Sequence, residues 1–247
     1  MLKKIRADLH IHSCLSPCGD ISMTPETIVR TAKGKGLDAI CICDHNSSEN
    51  SVVARKIGES VGITVFLGME INSKEEVHIL GIFEDPEALS KVQEVIYEHL
   101  RGENDDELFG YQMVINENDE IADLNSRLLI GATDLSVENI VRLVHENGGI
   151  AIASHIDRER FSLLGQLGFV PEGLELDGLE LSPAYVQAKK NLDYPALSDI
   201  PQVTFSDAHM PEDIGKTSTV FLVEEISLKE IKMALENKDG RSVLAYS

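Results

Sequence analysis

The stretch Asp8-Leu9-His10-Ile11-His12 ends an apolar run that begins at Ile5, and the fold is read outward from it. In an extended strand, residues two apart lie on one face, so both imidazoles point the same way. Asp8 shares that parity and is expected to orient a histidine or to bind metal itself. The same arrangement, a short aliphatic run closed by a histidine or carboxylate, returns along the chain. Ala39-Ile40-Cys41-Ile42 leads to Cys43-Asp44-His45-Asn46, and Val65-Phe66-Leu67 leads to Gly68-Met69-Glu70. Ile150-Ala151-Ile152-Ala153 leads to Ser154-His155, and Val203-Thr204-Phe205 leads to Ser206-Asp207-Ala208-His209. A parallel β/α barrel brings the C-terminal ends of its strands to one face, where active sites form. Side chains scattered from position 10 to position 209 would therefore meet in space.

Strands are expected at residues 5–11, 38–43, 64–68, 77–83, 149–153, 178–181, 203–205 and 219–223, with helical patterns between them. One helix begins at Thr24-Pro25-Glu26, where Thr24 can cap, Pro25 suits the first turn and Glu26 suits the dipole. Others are expected at 51–61, 86–100, 136–147 and 227–237. This alternation points to an α/β fold with a parallel sheet and right-handed crossovers. Residues 101–135 break the rhythm with an acidic loop and a hairpin whose first strand is Gln112-Met113-Val114-Ile115. That segment is too short to bury a core of its own, so residues 1–247 are read as one domain carrying an insertion at about 101–135.

Composition narrows the function classes. With 22 basic and 42 acidic residues the net charge is −20, which opposes the basic footprint that stable nucleic-acid binding requires. No apolar run is long enough to span a bilayer, and Asp8 interrupts the N-terminus before any signal-peptide stretch develops. A cytoplasmic protein with no membrane partner is expected. Cys14, Cys18, Cys41 and Cys43 are then reduced thiols, and the last two sit in an apolar run as small core residues.

Histidine and carboxylate side chains at strand ends suit divalent metals, since neutral imidazole and carboxylate are good ligands for borderline ions. A carboxylate at Glu70 could bridge two ions. His78 differs because it opens its strand rather than closing it, and a hydrogen-bonded buried histidine is the competing reading there. His99 and His145 fall in helical patterns and are read as structural, His145 near a helix C-terminus. Arg158 and Arg160 follow His155 and could hold phosphoryl oxygens, Arg158 being favoured.

These segments resemble the PHP family, named for its polymerase and histidinol-phosphatase members. The resemblance rests on Asp8-Leu9-His10-Ile11-His12-Ser13, Thr24-Pro25-Glu26, Asp44-His45-Asn46, Gly68-Met69-Glu70, His78, Ser154-His155 and Ser206-Asp207-Ala208-His209. It implies a distorted, TIM-like (β/α)7 barrel with two or three divalent ions, zinc, manganese or iron, at its C-terminal face. By that likeness His10, His12, Glu70 and Asp207 hold one ion, and Glu70 bridges to a second shared with His155 and His78. His45, His209 and Asp20 take a third. Family members often carry Ser-Asp-Gly, or a histidine, shortly after the paired histidines. Here the segment reads Ser16-Pro17-Cys18-Gly19-Asp20, and counting back four residues from Thr24 selects Asp20 over Cys18.

The function expected is hydrolysis of a small phosphorylated metabolite, monoester or diester, by metal-activated hydroxide. Glu70, Asp207 and Arg158 are the expected catalytic residues. No Gly-rich phosphate loop and no serine or cysteine nucleophile motif competes with this. The alternatives are an amide or lactone hydrolase built on the same centre, a metal-dependent nuclease, which the charge opposes, and a metal-stabilised regulatory module without turnover.

Overall fold

The computed structural model describes residues 1–188, 194 and 197–246. The chain runs through β1 (Lys3–Ile11), α1 (Pro25–Gly34), β2 (Ala39–Ile42), α2 (Glu49–Val61), β3 (Thr64–Asn72), β4 (His78–Phe83) and α3 (Pro86–His99). Then come α4 (Asp106–Phe109), β5 (Met113–Ile115), β6 (Ile121–Leu124), α5 (Val137–Glu146), β7 (Ile150–Ala153), α6 (Leu163–Leu167) and β8 (Gly178–Leu181). The last described elements are α7 (Pro183–Gln187), β9 (Gln202–Thr204), β10 (Thr219–Val223), α8 (Leu228–Leu235) and β11 (Ser242–Tyr246). Helix starts follow local chemistry: the side chains of Thr24, Asp85, Ser136 and Ser227 each accept a backbone N–H from the first turn of their helix.

Among the described residues, nine strands form one sheet in the order β11-β10-β1-β2-β3-β4-β7-β8-β9. It curls into a nearly closed barrel, because the chain leaving β9 returns to β1 through a parallel bridge between Ile11 and Ala208 and the His12 N–H donated to Ala208 O. The architecture is the expected α/β barrel, but the sheet is not all parallel. β4 pairs antiparallel with both β3 and β7. Its link to β3, residues 73–77, is a tight turn closed by the Ser73 side chain on Glu75 and Val77 N–H groups. A parallel crossover would need a dozen or more residues. The reversal brings the start of β4, where His78 lies, to the face where the other strands end.

A second irregularity sits in β1. Two steps on β2, from Ile40 to Ile42, are matched by three on β1, from Asp8 to Ile11. This β-bulge exchanges the inward and outward faces of the strand. Before it, Ile5, Ala7 and Leu9 pack in the barrel interior with Cys41, Phe66, Leu80, Ile152 and Phe221. Beyond it, Ile11 joins the outer layer with Ile28, Val29 and Ala54 of the helices, so His10 and His12 are the residues that face inward. The shared parity expected for Asp8 is therefore broken. Asp8 instead accepts the backbone N–H groups of Ser206 and Gly215.

The cysteines at 41 and 43 are core residues, as expected, with their sulfurs 3.5 Å apart. They also explain Gly68. A Cβ on Gly68 would lie 2.6 Å from Cys41 Sγ and 2.9 Å from Cys43 Sγ, so only glycine lets β3 lie close to β2 just below Glu70. The segment 101–135 contains α4 and the β5–β6 hairpin, whose strands pair antiparallel. It packs Met113 and Ile115 on Cys14, and Leu129 on Leu15. No helix among the described residues is long and apolar enough to cross a membrane. Gly68→Ala should destabilise the fold by ~1–3 kcal/mol through overpacking. Adding Cys41→Ala should recover part of that loss in denaturant unfolding, and an additive double mutant would show that the two residues do not share this contact.

Candidate metal centre

Glu70 sits at the centre of the barrel mouth with 1% exposure. Its Oε1 lies 3.4 Å from His10 Nε2, 3.1 Å from His78 Nδ1 and 3.3 Å from His155 Nε2. Its Oε2 lies 3.5 Å from His12 Nε2 and 3.2 Å from His45 Nδ1. Asp207 Oδ1 faces the Nε2 atoms of His10 and His12 at 3.4 and 3.2 Å. Glu70 thus stands between two groups of imidazoles, three on Oε1 and two on Oε2.

Each of three imidazoles has one nitrogen held by an acceptor, leaving the lone pair of the other directed into the cluster. His10 Nδ1 faces both oxygens of Glu180 at 3.0 and 2.9 Å. His12 Nδ1 meets Ser16 Oγ at 3.0 Å, and His209 Nδ1 meets the Asp207 carbonyl at 2.8 Å. The Nε2 atoms of His10 and His12 then confront each other at 3.1 Å. Two imidazole lone pairs at that distance repel unless a proton or a metal cation lies between them. Glu70 Oε1 and His78 Nδ1 are likewise buried without a hydrogen-bond partner despite their proximity. Buried polar atoms are rarely left so, and atoms that converge without bonding one another suit a shared ion. Among the described residues, four sets of donors lie within ligating reach of one another: His10, His12 and Glu70; His45, Glu70 and His78; His12, Asp207 and His209; and His12, Cys18 and His45. The donor chemistry fits divalent metal.

Electrostatics lead the same way. Burial opposes charge at His10, but Glu180, Asp207 and Glu70 outweigh it and hold the imidazole well above its usual range. Burial likewise works against the Glu70 carboxylate, yet His78 and His10 keep it far below the carboxylate range. His12 is pushed down to about 4 by burial and then by His209, and His45 is lowered by burial and then by His12. At neutral pH, then, Glu70, His12 and His45 stand in the protonation states that ligate metal, and positive charge is favoured among the carboxylates.

Of the nine expected ligands, the structure brings together eight, His10, His12, His45, Glu70, His78, His155, Asp207 and His209. It does not bring in Asp20. That side chain is exposed and accepts the backbone and hydroxyl donors of Ser22. Cys18 stands there instead, its sulfur 3.1 Å from His209 Nε2 and within ligating reach of His12 and His45. The turn of residues 13–19 is what selects it: Gly19 packs so closely on Ser13 that a Cβ would meet the Ser13 carbonyl at 2.3 Å. His99 pairs with Asp134, and His145 with Asp177 at 2.7 Å, both away from the cluster.

Two side chains that support the site, Glu180 and Asp44, were not expected to do so. Glu180 lies in β8, holds His10 and also accepts the His155 N–H. Its one sequence signal was an acid between two leucines in a buried strand. Asp44 accepts from Ser13 N–H and from the hydroxyls of Ser13 and Ser16, fixing the loop that carries Cys18. Arg158 reaches the centre through Nη2, 2.6 Å from Asp207 Oδ2, while its side chain stays 43% exposed.

Comparison with known proteins gives the same family. The PHP domain profile matches residues 8–167. An uncharacterized protein of Methanocaldococcus jannaschii is 28% identical over 189 residues, covering 73% of this chain and 83% of that one. The phosphoribosyl 1,2-cyclic phosphate 1,2-diphosphodiesterase of Eggerthella lenta is 32% identical over 80 residues, 30% of this chain and 29% of that enzyme. Among solved structures, the lesion-specific endonuclease Q of Pyrococcus furiosus covers 99% of this chain with TM-score 0.72 and 22% identity, and this chain spans 58% of its length. Endonuclease Q has also been solved with a 27-mer duplex carrying an abasic lesion at its active site. That complex runs against the expectation, drawn from net charge, that nucleic acid is not a partner: a protein that contains this fold has been solved with a duplex.

Metal analysis separates the two candidates for the third site. Asp20→Ala should leave the bound-metal content unchanged, whereas Cys18→Ala should lower it by about one ion per chain. The opposite result would return Asp20 to the ligand set. His99→Ala should behave as wild type.

Proposed function

Because the chain belongs to the PHP domain family, we propose that this cluster is the active centre of a metal-dependent phosphoesterase acting on a small phosphorylated compound. The observation that carries the reading is Glu70, whose unpartnered Oε1 lies among three imidazoles while Oε2 faces two more. Zinc, manganese or iron ions held there would supply Lewis acidity toward phosphoryl oxygens and lower the pKa of water. The ligands proposed are His10, His12, His45, Glu70, His78, His155, Asp207 and His209, with Cys18 at the third position.

The chain's own residues do the rest. Glu70 holds the donors on both its sides in register. Asp207 links that set to Arg158, since its Oδ1 faces His10 and His12 while Oδ2 accepts from the guanidinium. A guanidinium has five N–H donors in a planar fork, and the exposed remainder of Arg158 can bind phosphoryl oxygens beside the cluster. Ser13 and Ser16 are committed to Asp44 and are not offered as nucleophiles.

A nuclease is the second reading, favoured by the likeness to endonuclease Q over almost the whole chain and opposed by the net charge of −20. A screen of metal-reconstituted protein against phosphomonoesters, cyclic phosphodiesters, oligonucleotides and lactones distinguishes these classes. Turnover of a small phosphoester is expected. Glu70→Gln should reduce it by about 100-fold or more with native circular dichroism. Arg158→Lys should lower turnover by about 10-fold while metal content holds. Absence of turnover throughout the screen, with Glu70→Gln unfolding the chain, would make the metals structural and the protein a module without activity.

A further inference from the structure

The loop His155-Ile156-Asp157-Arg158-Glu159-Arg160-Phe161 carries more than the phosphate-facing arginine. Phe161 lies parallel to His78, with ring centroids 4.7 Å apart and planes 19° from parallel. One face of the phenyl ring is covered by that imidazole. The side chain is nevertheless 37% exposed, so the opposite face and edge are open at the rim of the cluster. Core burial does not account for a phenylalanine in this position. The backbone does not favour it either, because Phe161 has φ of +59°, a left-handed conformation that bulky side chains avoid. Strain of this kind gathers where a side chain is needed in one place.

The loop is built to hold that conformation. Phe161 O accepts the His78 N–H at 3.0 Å, and Arg158 N donates to His155 O at 2.9 Å. Ser162 donates its hydroxyl to Arg158 O while accepting the Gly165 N–H. Gly165 permits this close approach, since a Cβ there would stand 2.4 Å from Glu159 O. The guanidinium and the open phenyl face are thus carried on one internally hydrogen-bonded loop. Arg158 meets the cluster at Asp207, and Phe161 stands one imidazole beyond Glu70.

We propose that Phe161 is the specificity-determining residue for the organic part of the substrate, a platform on which a nucleobase stacks while its phosphate lies between Arg158 and the cluster. Stacking on an aromatic face is sequence-tolerant, because every base offers a π-face. The substrate class is therefore a nucleotide, either free or at the end of an oligonucleotide. This deepens the phosphoesterase reading and rests on it.

The test compares adenosine 5′-monophosphate, a 5′-phosphorylated single-stranded oligonucleotide and ribose 5-phosphate, which lacks a base. Wild-type protein should prefer a base-bearing substrate, and the better of the two shows whether the source is free or polymeric. Phe161→Leu, which keeps an apolar cover over His78, should cut the kcat/KM ratio of the base-bearing substrate to ribose 5-phosphate by about 10-fold, mostly through KM. Phe161→Trp should restore it, with metal content unchanged in both. An equal loss on all substrates, or no loss on any, would reduce Phe161 to a cover for His78 and overturn the proposal. If ribose 5-phosphate is hydrolysed as well as the nucleotide, the phosphoesterase reading stands and this one fails. If none is hydrolysed, calorimetric binding of adenosine 5′-monophosphate still decides: equal affinity for wild type and Phe161→Leu overturns it.

Discussion

An ionised carboxylate loses on the order of several kcal/mol when it leaves water, unless cations or donors replace its hydration. Glu70 is in that position at the mouth of the barrel, with 1% exposure and five imidazole nitrogens around its two oxygens. Neutral imidazoles that present lone pairs cannot provide the missing donors. A positive charge among them can, and the upward displacement of His10 registers that demand. The elements that frame the mouth follow from it. β4 runs backwards so that His78 arrives from the strand's start, Gly68 lets β3 approach β2, and the bulge in β1 turns His10 and His12 inward.

Most of this was legible because one geometric rule does most of the work. If strands converge, then residues that close aliphatic runs must meet, and His10, His12, His45, Glu70, His155, Asp207 and His209 all close such runs. His78 looked exceptional only because strand direction is invisible in a single strand's pattern; that direction is set by the short turn at 73–77. The bulge was invisible for a related reason. One extra residue leaves the apolar alternation of residues 5–11 unchanged to the eye but reverses which face Asp8 shares. Asp20 was expected in the cluster but lies outside it, since an irregular loop has no period from which to infer direction. In that loop Asp44 and Gly19 set where Cys18 points, and Ser22 captures Asp20. Glu180 was masked by the habit of reading a buried strand as uniformly apolar.

Net charge alone does not decide partners. Acidic residues collect on the segment 101–135, as in Asp105-Asp106-Glu107, and on helix surfaces, whereas the loop beside the cluster carries Arg158 and Arg160. A total of −20 describes the field far from the molecule and screens within a few Debye lengths. What a bound phosphate meets is set locally. The barrel mouth combines buried carboxylates with donors that neutralise them, and the half-exposed guanidinium of Arg158 sits at its edge.

The carboxylates around the centre divide into two kinds. Glu70 and Asp207 face imidazoles, while Asp8, Asp44 and Glu180 chiefly hold the backbone and side chains that carry those imidazoles. Burial raises Asp8 to about 6, against partial relief from the Ser206 and Gly215 N–H groups. A folded carboxyl raised in this way favours folding below its ordinary range and costs stability as the pH rises through 6, by about 3 kcal/mol at neutrality. What that cost secures is position. Asp207 sits at φ of +49° and His155 at +29°, conformations that non-glycine residues avoid. Asp8 holds Ser206, immediately before Asp207, and Glu180 holds the His155 N–H. Asn46, at φ of +49° just after His45, is clamped through its side chain to Leu129, Gly131 and Asn72. Strained turns at three strand ends aim three groups at one point, and the buried polar side chains that stabilise those turns explain why so many charged groups lie where an apolar core would have been more stable.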